Sequence, residues 1–395
     1  QNLRYNEHLK RCSIMNNKLI IHINSPSKLS ELIAVMSSLT ESDYVSIDTE
    51  FFRVTNFYPK LYLVQLCIND CCYLVDPISE IDLKAFYQAL VSCKAKFLFF
   101  SCREDLEILA FECEKQQLTP KLPKKCVDVQ LLMAFLNIAH QKGLQSTISE
   151  YLGIELKKDQ TCSDWSLRPL TEEQVSYACE DVIYLKPLYE HLISLVDPSD
   201  VRLKWFFLEM EICKEQACKE FSPDDCYKSI PQAGMLNIKQ LNLLKCLCKM
   251  RALTAMENDE ALNRVITTKA LCAIAQKRKL SFKTLLDCGM KIGAVKAYGE
   301  QVVTWFNQAL KLPLDPQIEL PYDFVLYQKD EAIAYKNLKK QLKALSHEKN
   351  ICPELLSNKN LCNDYFYKLH YGQTPILQSS WYLECVGKIE LNYQA

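Results

Sequence analysis

The stretch Tyr44-Val-Ser-Ile-Asp-Thr-Glu-Phe51 decides how the chain folds. Its apolar residues Val45 and Ile47 alternate with polar ones, and its β-branched content is typical of a buried strand. Side chains two residues apart on a strand share a face, so Asp48 and Glu50 are predicted to project together near its end. Two neighbouring carboxylates repel each other unless a proton or a cation lies between them. Asp-x-Glu alone is more often a solvated acidic pair, so a metal site requires further carboxylates from elsewhere in the chain.

Strands and helices alternate on both sides of this stretch. Strands are predicted over residues 18–23, 62–68, 72–76 and 95–100, and helices over 27–39, 83–91, 128–138, 143–152 and 202–220. Ser101 is predicted to cap a helix that runs to Phe111, with Asp105 in its first turn. Thr171 and Gln174 have capping-box spacing and are predicted to open a helix that runs to about residue 193. The alternation predicts an α/β domain.

The rest of the chain reads as helical modules of different charge. A chain of 395 residues is too long for one core, so two or three domains are expected. Residues 235–312 hold 13 Lys and Arg against 5 Asp and Glu, a balance of +8, whereas residues 1–234 have a balance of −8. We predict an N-terminal extension over 1–14, expected to be disordered, an α/β domain over 15–220, and helical domains over 235–312 and 322–395. An acidic domain followed by a basic one is consistent with a metal-dependent site beside a region that binds a polyanion.

Composition excludes several classes of protein. The twenty cysteines form no C-x-x-C pair and accompany no histidine cluster, so a zinc site is not expected. Scattered cysteines in a large chain without a secretory signal indicate reduced thiols and a cytoplasmic location. No apolar run approaches the ~20 residues that a membrane span needs, so no membrane association is expected.

Five residues from three parts of the chain carry the chemistry: Asp48, Glu50, Asp105, Tyr177 and Asp181. Tyr177 and Asp181 are four apart on a predicted helix, so they lie one turn from each other. The order Asp-x-Glu, middle Asp and Tyr-x-x-x-Asp resembles the tyrosine branch of the DEDD-type 3′→5′ exonucleases, and within it the ribonuclease D family. Each motif is weak alone, but three in this order are a strong signal.

The flanking residues extend this resemblance over nearly the whole chain beyond Met15. Residues 235–312 resemble a helicase-and-RNase-D C-terminal (HRDC) domain, and residues 322–395 a divergent second copy. One departure is Phe100, where the family often has a histidine five residues before the middle aspartate. The family-like stretches are Asp48-Thr-Glu-Phe51, Tyr58-Pro-Lys-Leu61, Leu63-Val-Gln-Leu66, Glu104-Asp-Leu-Glu107, Ser163-Asp-Trp165 and Arg168-Pro-Leu-Thr-Glu-Glu-Gln174.

The resemblance implies a fold, a reaction and a cofactor. The fold is a ribonuclease H-like α/β exonuclease domain with a mixed sheet, followed by two small all-α domains. The reaction is 3′→5′ hydrolysis of RNA to 5′-mononucleotides, with tRNA precursors and other structured RNAs as substrates and no obligate protein partner. Two divalent cations, Mg²⁺ or Mn²⁺, would be held by Asp48, Glu50, Asp105 and Asp181, with Asp48 shared between them. Tyr177 would orient the attacking water or accept its proton.

Several further residues are weaker candidates for substrate binding, and each has a structural alternative. Aromatic rings and a basic run suit bases and phosphates, respectively, but rings beside a strand are more often core and a basic run is more often a solvated face. Gln65 could contact a terminal nucleotide or hold a backbone group, and Trp165 and Arg168 could shape a groove or clamp the fold. These candidates are Phe51, Tyr58, Gln65, Trp165, Arg168, Lys277, Arg278 and Lys279. A DNA-directed exonuclease and a catalytically silent RNA-binding protein remain alternative functions at this stage.

Overall fold

The structure, a computed structural model, describes residues 13–15, 18–156 and 163–394. Contacts between residues divide the chain into two units. Unit 1 takes the described residues up to Phe52, Leu61–Lys219 and Asn350–Cys352. Unit 2 takes Arg53–Lys60, Glu220–Lys349 and the residues from Pro353 onward. Whether residues 235–312 and 322–395 are separate domains stays a prediction.

Unit 1 is built on a mixed seven-stranded sheet with the order β1-β2-β5-β4-β3-β6-β7. Strand β3 is parallel to β6, which is parallel to β7, whereas β4 and β5 form an antiparallel hairpin. The turn of that hairpin is Asn69-Asp70, and both residues have positive φ angles, as a tight hairpin turn requires. The strands are β1 Ser13–Met15, β2 Lys18–Ile23, β3 Tyr44–Phe52, β4 Lys60–Ile68, β5 Cys71–Val75, β6 Lys96–Phe99 and β7 Cys126–Asp128.

Helices accompany the sheet of unit 1. Each presents an apolar stripe to it or to a neighbouring helix, and burying such stripes is the main source of helix stability in a folded protein. The helices are α1 Pro26–Ser38, α2 Lys84–Ser92, α3 Arg103–Lys115, α4 Val129–Phe135, α5 Leu144–Leu152, α6 Glu172–Ile183, α7 Leu185–Ser194 and α8 Val201–Ala217. The α/β prediction is confirmed, together with the mixed sheet.

The structure corrects four expectations from the sequence. Ser13 and Ile14 belong to strand β1, which pairs with β2, so the predicted disorder does not extend to them, and residues 1–12 lie outside the described part. Ser101 does not cap α3, because Cys102 occupies that position and Ser101 has a φ of +64°. The helix after Thr171 ends at Ile183, and a second begins at Leu185. Strand β7 was missed because only three residues form it.

Unit 2 is helical throughout its longer segments. Its core includes Leu244 and Leu247 of the first long helix and Val302 and Phe306 of another, all fully buried. Arg53–Lys60 connects β3 to β4 and includes the first residue of β4. It is held by Asp259, which accepts hydrogen bonds from Asn56 Nδ2 at 2.9 Å and from the Tyr58 amide at 3.0 Å. The helices are α9 Ile238–Glu257, α10 Leu262–Val265, α11 Thr268–Ala275, α12 Phe282–Asp287, α13 Ile292–Ala309, α14 Lys329–Glu348, α15 Glu354–Ser357, α16 Lys359–His370 and α17 Ser380–Val386.

Among the described residues, every helix is too short or too polar to cross a membrane.

Candidate active site

Strand β3 brings two carboxylates to the end of the parallel part of the sheet. Its pairing with β6 runs as far as Ser46 and Leu98, so Asp48 and Glu50 lie beyond those partners. The carboxyl ends of parallel strands are where ligands bind in open α/β sheets. One carboxylate oxygen each from Asp48, Glu50 and Asp181 lie within 4.8 Å of one another. The sequence prediction that these three residues converge therefore agrees with the geometry.

Helix α6 supplies Asp181 and, one turn earlier, Tyr177. The helix begins with the predicted capping box, in which the Thr171 hydroxyl accepts from the Gln174 amide and the Gln174 side chain accepts from the Thr171 amide. Gln174 Nε2 also donates to Ser163 Oγ at 2.7 Å, so the preceding segment is tied to the start of the helix. Because α6 packs against β3, this anchoring sets where Asp181 meets the strand.

Asp105 reaches the site from the first turn of α3. It is 6% exposed, and its Oδ1 accepts a hydrogen bond of 2.5 Å from the Thr49 hydroxyl. It is not one of the three residues whose oxygens lie within 4.8 Å of one another. Burial raises the pKa of Asp105 to about 7, against the opposing effect of the Thr49 hydrogen bond. Thr49 was missed by sequence reasoning, because a contact across 56 positions leaves no local signal.

Gln65 on β4 contacts Asp48 directly. Its Nε2 lies 2.6 Å from Asp48 Oδ2, and the side chain is fully buried. Its Oε1 is buried and has no hydrogen-bond partner among the described residues. From sequence, Gln65 was expected to contact substrate or backbone, whereas the structure places its amide against a carboxylate of the site.

The electrostatics of the group favour cation binding. Burial, followed by the charges of Asp105, Asp181 and Glu50, raises the pKa of Asp48 well above its ordinary value. Such a shift means that ionised carboxylates are held together at a cost that a bound cation relieves. Hard divalent cations take oxygen ligands of this kind, and the unpaired Gln65 Oε1 is a buried acceptor beside them. The residues present therefore fit a divalent metal centre.

Trp165 is buried in the fold, and Arg168 is partly buried. Arg168 donates through Nε to Asp76 Oδ2 at 2.6 Å and through Nη2 to Asp76 Oδ1 at 2.7 Å and to the Tyr62 carbonyl. Trp165 is 3% exposed, and its ring centroid lies 6.0 Å from that of Tyr177. Of the two roles expected from the sequence, Arg168 therefore has the structural one, because it clamps the fold through Asp76 and Tyr62. Trp165 packs near the ring of Tyr177.

The remaining candidates lie in different places. Phe51 and Phe100 are partly buried in unit 1, at the ends of β3 and β6. Tyr58 belongs to unit 2, where its ring packs near Phe57. The run from Lys277 to Lys279 is exposed in unit 2, between α11 and α12.

Two protein-family models match the chain. A 3′–5′ exonuclease model matches residues 22–197, and an HRDC domain model matches residues 240–304. The first match spans every carboxylate of the candidate site, and the second lies in the basic helical segment.

Full-length relatives and a solved structure extend the match. The chain is 30% identical to the ribonuclease D of Shewanella sp. (strain ANA-3) over 355 residues, covering 89% of each protein. It is 28% identical to the ribonuclease D of Escherichia coli (strain K12), covering 93% of this chain and 95% of that one. The crystal structure of Escherichia coli RNase D, described as an exoribonuclease involved in structured RNA processing, is similar with a TM-score of 0.78 at 27% identity, over 94% and 96% of the two chains.

Proposed function

This chain belongs to the ribonuclease D family and is a 3′→5′ exoribonuclease, and we propose that it trims structured RNAs with free 3′ ends, tRNA precursors among them. The observation that carries the proposal is the group of three carboxylates whose oxygens lie within 4.8 Å. A scaffold that only bound RNA would gain nothing from keeping these acids together, because their repulsion destabilises the fold.

The proposed ligands of two divalent cations, Mg²⁺ or Mn²⁺, are Asp48, Glu50, Asp105 and Asp181. When bound, such ions polarise the terminal phosphodiester, activate a water and stabilise the leaving 3′ oxygen. Gln65 fixes the orientation of the Asp48 carboxylate by donating to its Oδ2. Thr49 does the same for Asp105.

Tyr177 is the proposed positioning group for the attacking water. It lies one helical turn from Asp181, and its ring rests near the buried Trp165. A phenol is weakly acidic, so its hydroxyl acts here by hydrogen bonding and orients the water toward phosphorus. Water adds to phosphorus, the bond to the 3′ oxygen breaks and that oxygen takes a proton, which leaves a 5′-mononucleotide and a shortened RNA.

The basic segment of unit 2 is proposed to capture the RNA. Residues 235–312 have a charge balance of +8, and residues 1–234 a balance of −8. Phosphates are attracted to the first and repelled by the second, except where bound cations reverse the local field. The exposed Lys277, Arg278 and Lys279 are the proposed phosphate contacts.

The experiment compares four labelled substrates. Three share one sequence: RNA with a free 3′ hydroxyl, the same RNA with a 3′ phosphate, and the matched DNA. The fourth is a tRNA precursor. Each is incubated with Mg²⁺, with Mn²⁺ and with EDTA, and products are resolved by chromatography. We expect 5′-mononucleotides from the free-ended RNA and a trimmed precursor, in metal only. Equal cleavage of DNA would reassign the substrate, and cleavage that persists in EDTA would refute the metal centre.

A further inference from the structure

An exposed aromatic ring stands out on the basic surface of unit 2. Phe282, the first residue of α12, is 51% exposed, and Leu286 one turn later is 41% exposed. Residues four apart on a helix share a face, so Phe282 and Leu286 together expose one apolar patch. We call Phe282, together with the exposed basic residues of α13 and of the segment from α11 to α13, the Phe282 platform.

The ring of Phe282 is seated on a glycine. A β-carbon at Gly299 of α13 would lie 3.1 Å from Cε1 and 3.2 Å from Cδ1 of Phe282, which is tighter than nine in ten real Cβ contacts, so the ring would have to shift by a few tenths of an ångström. Gly299 is buried, and a glycine in the middle of a helix is less favourable than an alanine. The absence of a side chain lets the ring lie against α13 and leaves half of its surface to solvent.

The segments on both sides of Phe282 in the sequence carry positive charge with little acidic compensation. Between Gln276 and Tyr298 the only acidic residue is Asp287. Lys283 follows Phe282 directly, and Lys296 lies one turn before Gly299, on the helix that supports the ring. Within the described part of the chain these cations form no ion pair. The basic residues of the platform are Lys277, Arg278, Lys279, Lys283, Lys291 and Lys296.

An exposed aromatic face in a basic helical segment matches the chemistry of single-stranded nucleic acid. Bases stack on aromatic side chains, while Lys and Arg neutralise the phosphates on either side of each base. A duplex hides its base faces, so it would use only the cations. An acidic peptide would also use the cations, but it offers no flat group to cover the ring.

We propose that the Phe282 platform binds an unpaired segment of the RNA substrate, with one base stacked on Phe282 and its neighbouring phosphates on the surrounding lysines. This inference rests on the proposed function, because it assigns a binding site to the same RNA. It adds a preference for unpaired RNA that a purely electrostatic surface would lack.

The test measures RNA binding by the full-length protein in EDTA, so that the RNA stays intact. Fluorescence anisotropy gives affinities for a labelled 12-nucleotide adenosine strand and for a 12-base-pair RNA duplex, at several salt concentrations. The variants are Phe282→Ala, Phe282→Trp, and Lys277→Ala with Arg278→Ala. Tyr393→Ala is the matched control, since Tyr393 is 50% exposed in the C-terminal segment of the same unit.

Phe282→Ala should weaken single-strand binding about 10-fold, leave duplex binding within about 2-fold, and keep the slope of affinity against salt. The double variant should weaken binding of both ligands and reduce the single-strand slope by roughly 1.4, about 0.7 for each phosphate that is no longer neutralised. Phe282→Trp should retain affinity, and its added fluorescence should be quenched by the bound strand. Tyr393→Ala should bind as the wild type does.

Two outcomes would overturn the inference. If Phe282→Ala binds the single strand like the wild type, no base stacks there. If the double variant is also unchanged, the surface contacts a protein instead of RNA. Failure of the proposed function is separate, because it would appear as wild-type protein that does not shorten RNA in Mg²⁺, whatever the variants bind.

Discussion

Replacing Asp48 by asparagine should raise the stability of the protein and abolish its activity. Burial and three neighbouring carboxylates raise its pKa, so the ionised side chain destabilises the folded state once pH exceeds the unfolded value of about 4. Asp48→Asn keeps the shape and can still accept from Gln65. In EDTA at pH 8 we expect its free energy of unfolding to exceed that of the wild type, because the variant carries no charge in the buried acidic group.

The same variant should lose nearly all RNA hydrolysis and the stabilisation that Mg²⁺ gives the wild type. Denaturant titrations from pH 5 to 8, with and without Mg²⁺, check both effects. The stability gap in EDTA should widen as pH rises. A variant that is less stable than the wild type at pH 8, or that is still stabilised by Mg²⁺, would contradict this role for Asp48.

Gln65 should control metal affinity without touching RNA. Gln65→Leu removes the 2.6 Å donor to Asp48 and a buried acceptor, while keeping most of the side-chain volume. Groups that orient a metal ligand typically contribute 10–100-fold in metal affinity. Calorimetric titration of the chelator-treated variant with Mn²⁺, in the absence of RNA, should show a loss of that size. RNA binding in EDTA serves as the control, and it should not change.

Tyr177 should affect rate alone. Tyr177→Phe keeps the ring near Trp165 and removes only the hydroxyl. A group that positions or accepts the proton of an attacking water contributes roughly 10²–10⁴-fold. Single-turnover trimming of RNA should slow by that factor while Mn²⁺ affinity stays within about 2-fold. Trimming at the wild-type rate would leave Tyr177 with a packing role only.

Sequence reasoning found the carboxylates but not their supports. Asp48 and Glu50 follow from strand periodicity, and Tyr177 and Asp181 from helix periodicity together with the order of the motifs. The contact of Gln65 with Asp48 depends on how β4 lies beside β3, and the contact of Thr49 with Asp105 joins a strand to a helix. Such pairings are set by register between elements, which a single sequence does not reveal.

At the scale of elements, local patterns predicted most of the fold and failed where they were short or interrupted. The Asn69-Asp70 turn and the capping box at Thr171 were predicted from residue chemistry and are present. Strand β7 has three residues, too few for any periodicity. The break at Tyr184 divides an apolar pattern that continues through both helices, so the pattern alone did not mark it.

The clamp between Arg168 and Asp76 should make the segment before α6 sensitive to acid. Burial alone would raise the pKa of Asp76, but the Arg168 hydrogen bonds outweigh it and the pKa is lowered. A lowered folded pKa gives stability that is complete above the unfolded value of about 4 and is lost as pH falls through the folded value. Asp76→Asn should therefore lower the free energy of unfolding at pH 7, by about 1–3 kcal/mol.

Urea unfolding of Asp76→Asn and the wild type, from pH 7 to pH 2.5, tests this. The difference between them should be constant down to about pH 4 and then shrink. Arg168→Lys keeps the charge but lacks the planar fork that holds both carboxylate oxygens, so it should show a smaller loss with the same pH dependence. A difference that does not change with pH would indicate packing instead of charge.

At the scale of the whole molecule, the chain does not pass through its units one after the other. The sequence predicted successive domains, whereas contacts assign Arg53–Lys60 to unit 2 and Asn350–Cys352 to unit 1. In unit 1 the Cys352 amide donates to the Ala134 carbonyl at 2.9 Å, and the Asn350 carbonyl accepts from Arg202 at 3.1 Å. Segments of three or eight residues are too short to differ recognisably in composition from the chain around them, so sequence reasoning could not find these two.

Ile351 is fully buried and belongs to the segment Asn350–Cys352 of unit 1. It should therefore stabilise unit 1, although in sequence it lies between two helices of unit 2. Ile351→Ala should cost about 2–4 kcal/mol, as is usual for truncating a buried aliphatic side chain. Hydrogen exchange followed by mass spectrometry should show the loss of protection in α4 and α8, where Ala134 and Arg202 hold the segment.

Leu342→Ala is the matched control, because Leu342 is equally buried but lies on α14 of unit 2. This variant should lose protection in α14 and α16 instead. If Ile351→Ala instead loosens only the helices of unit 2, the segment belongs energetically to the helices that flank it, and a chain ending after Lys219 would keep the full stability of the exonuclease fold.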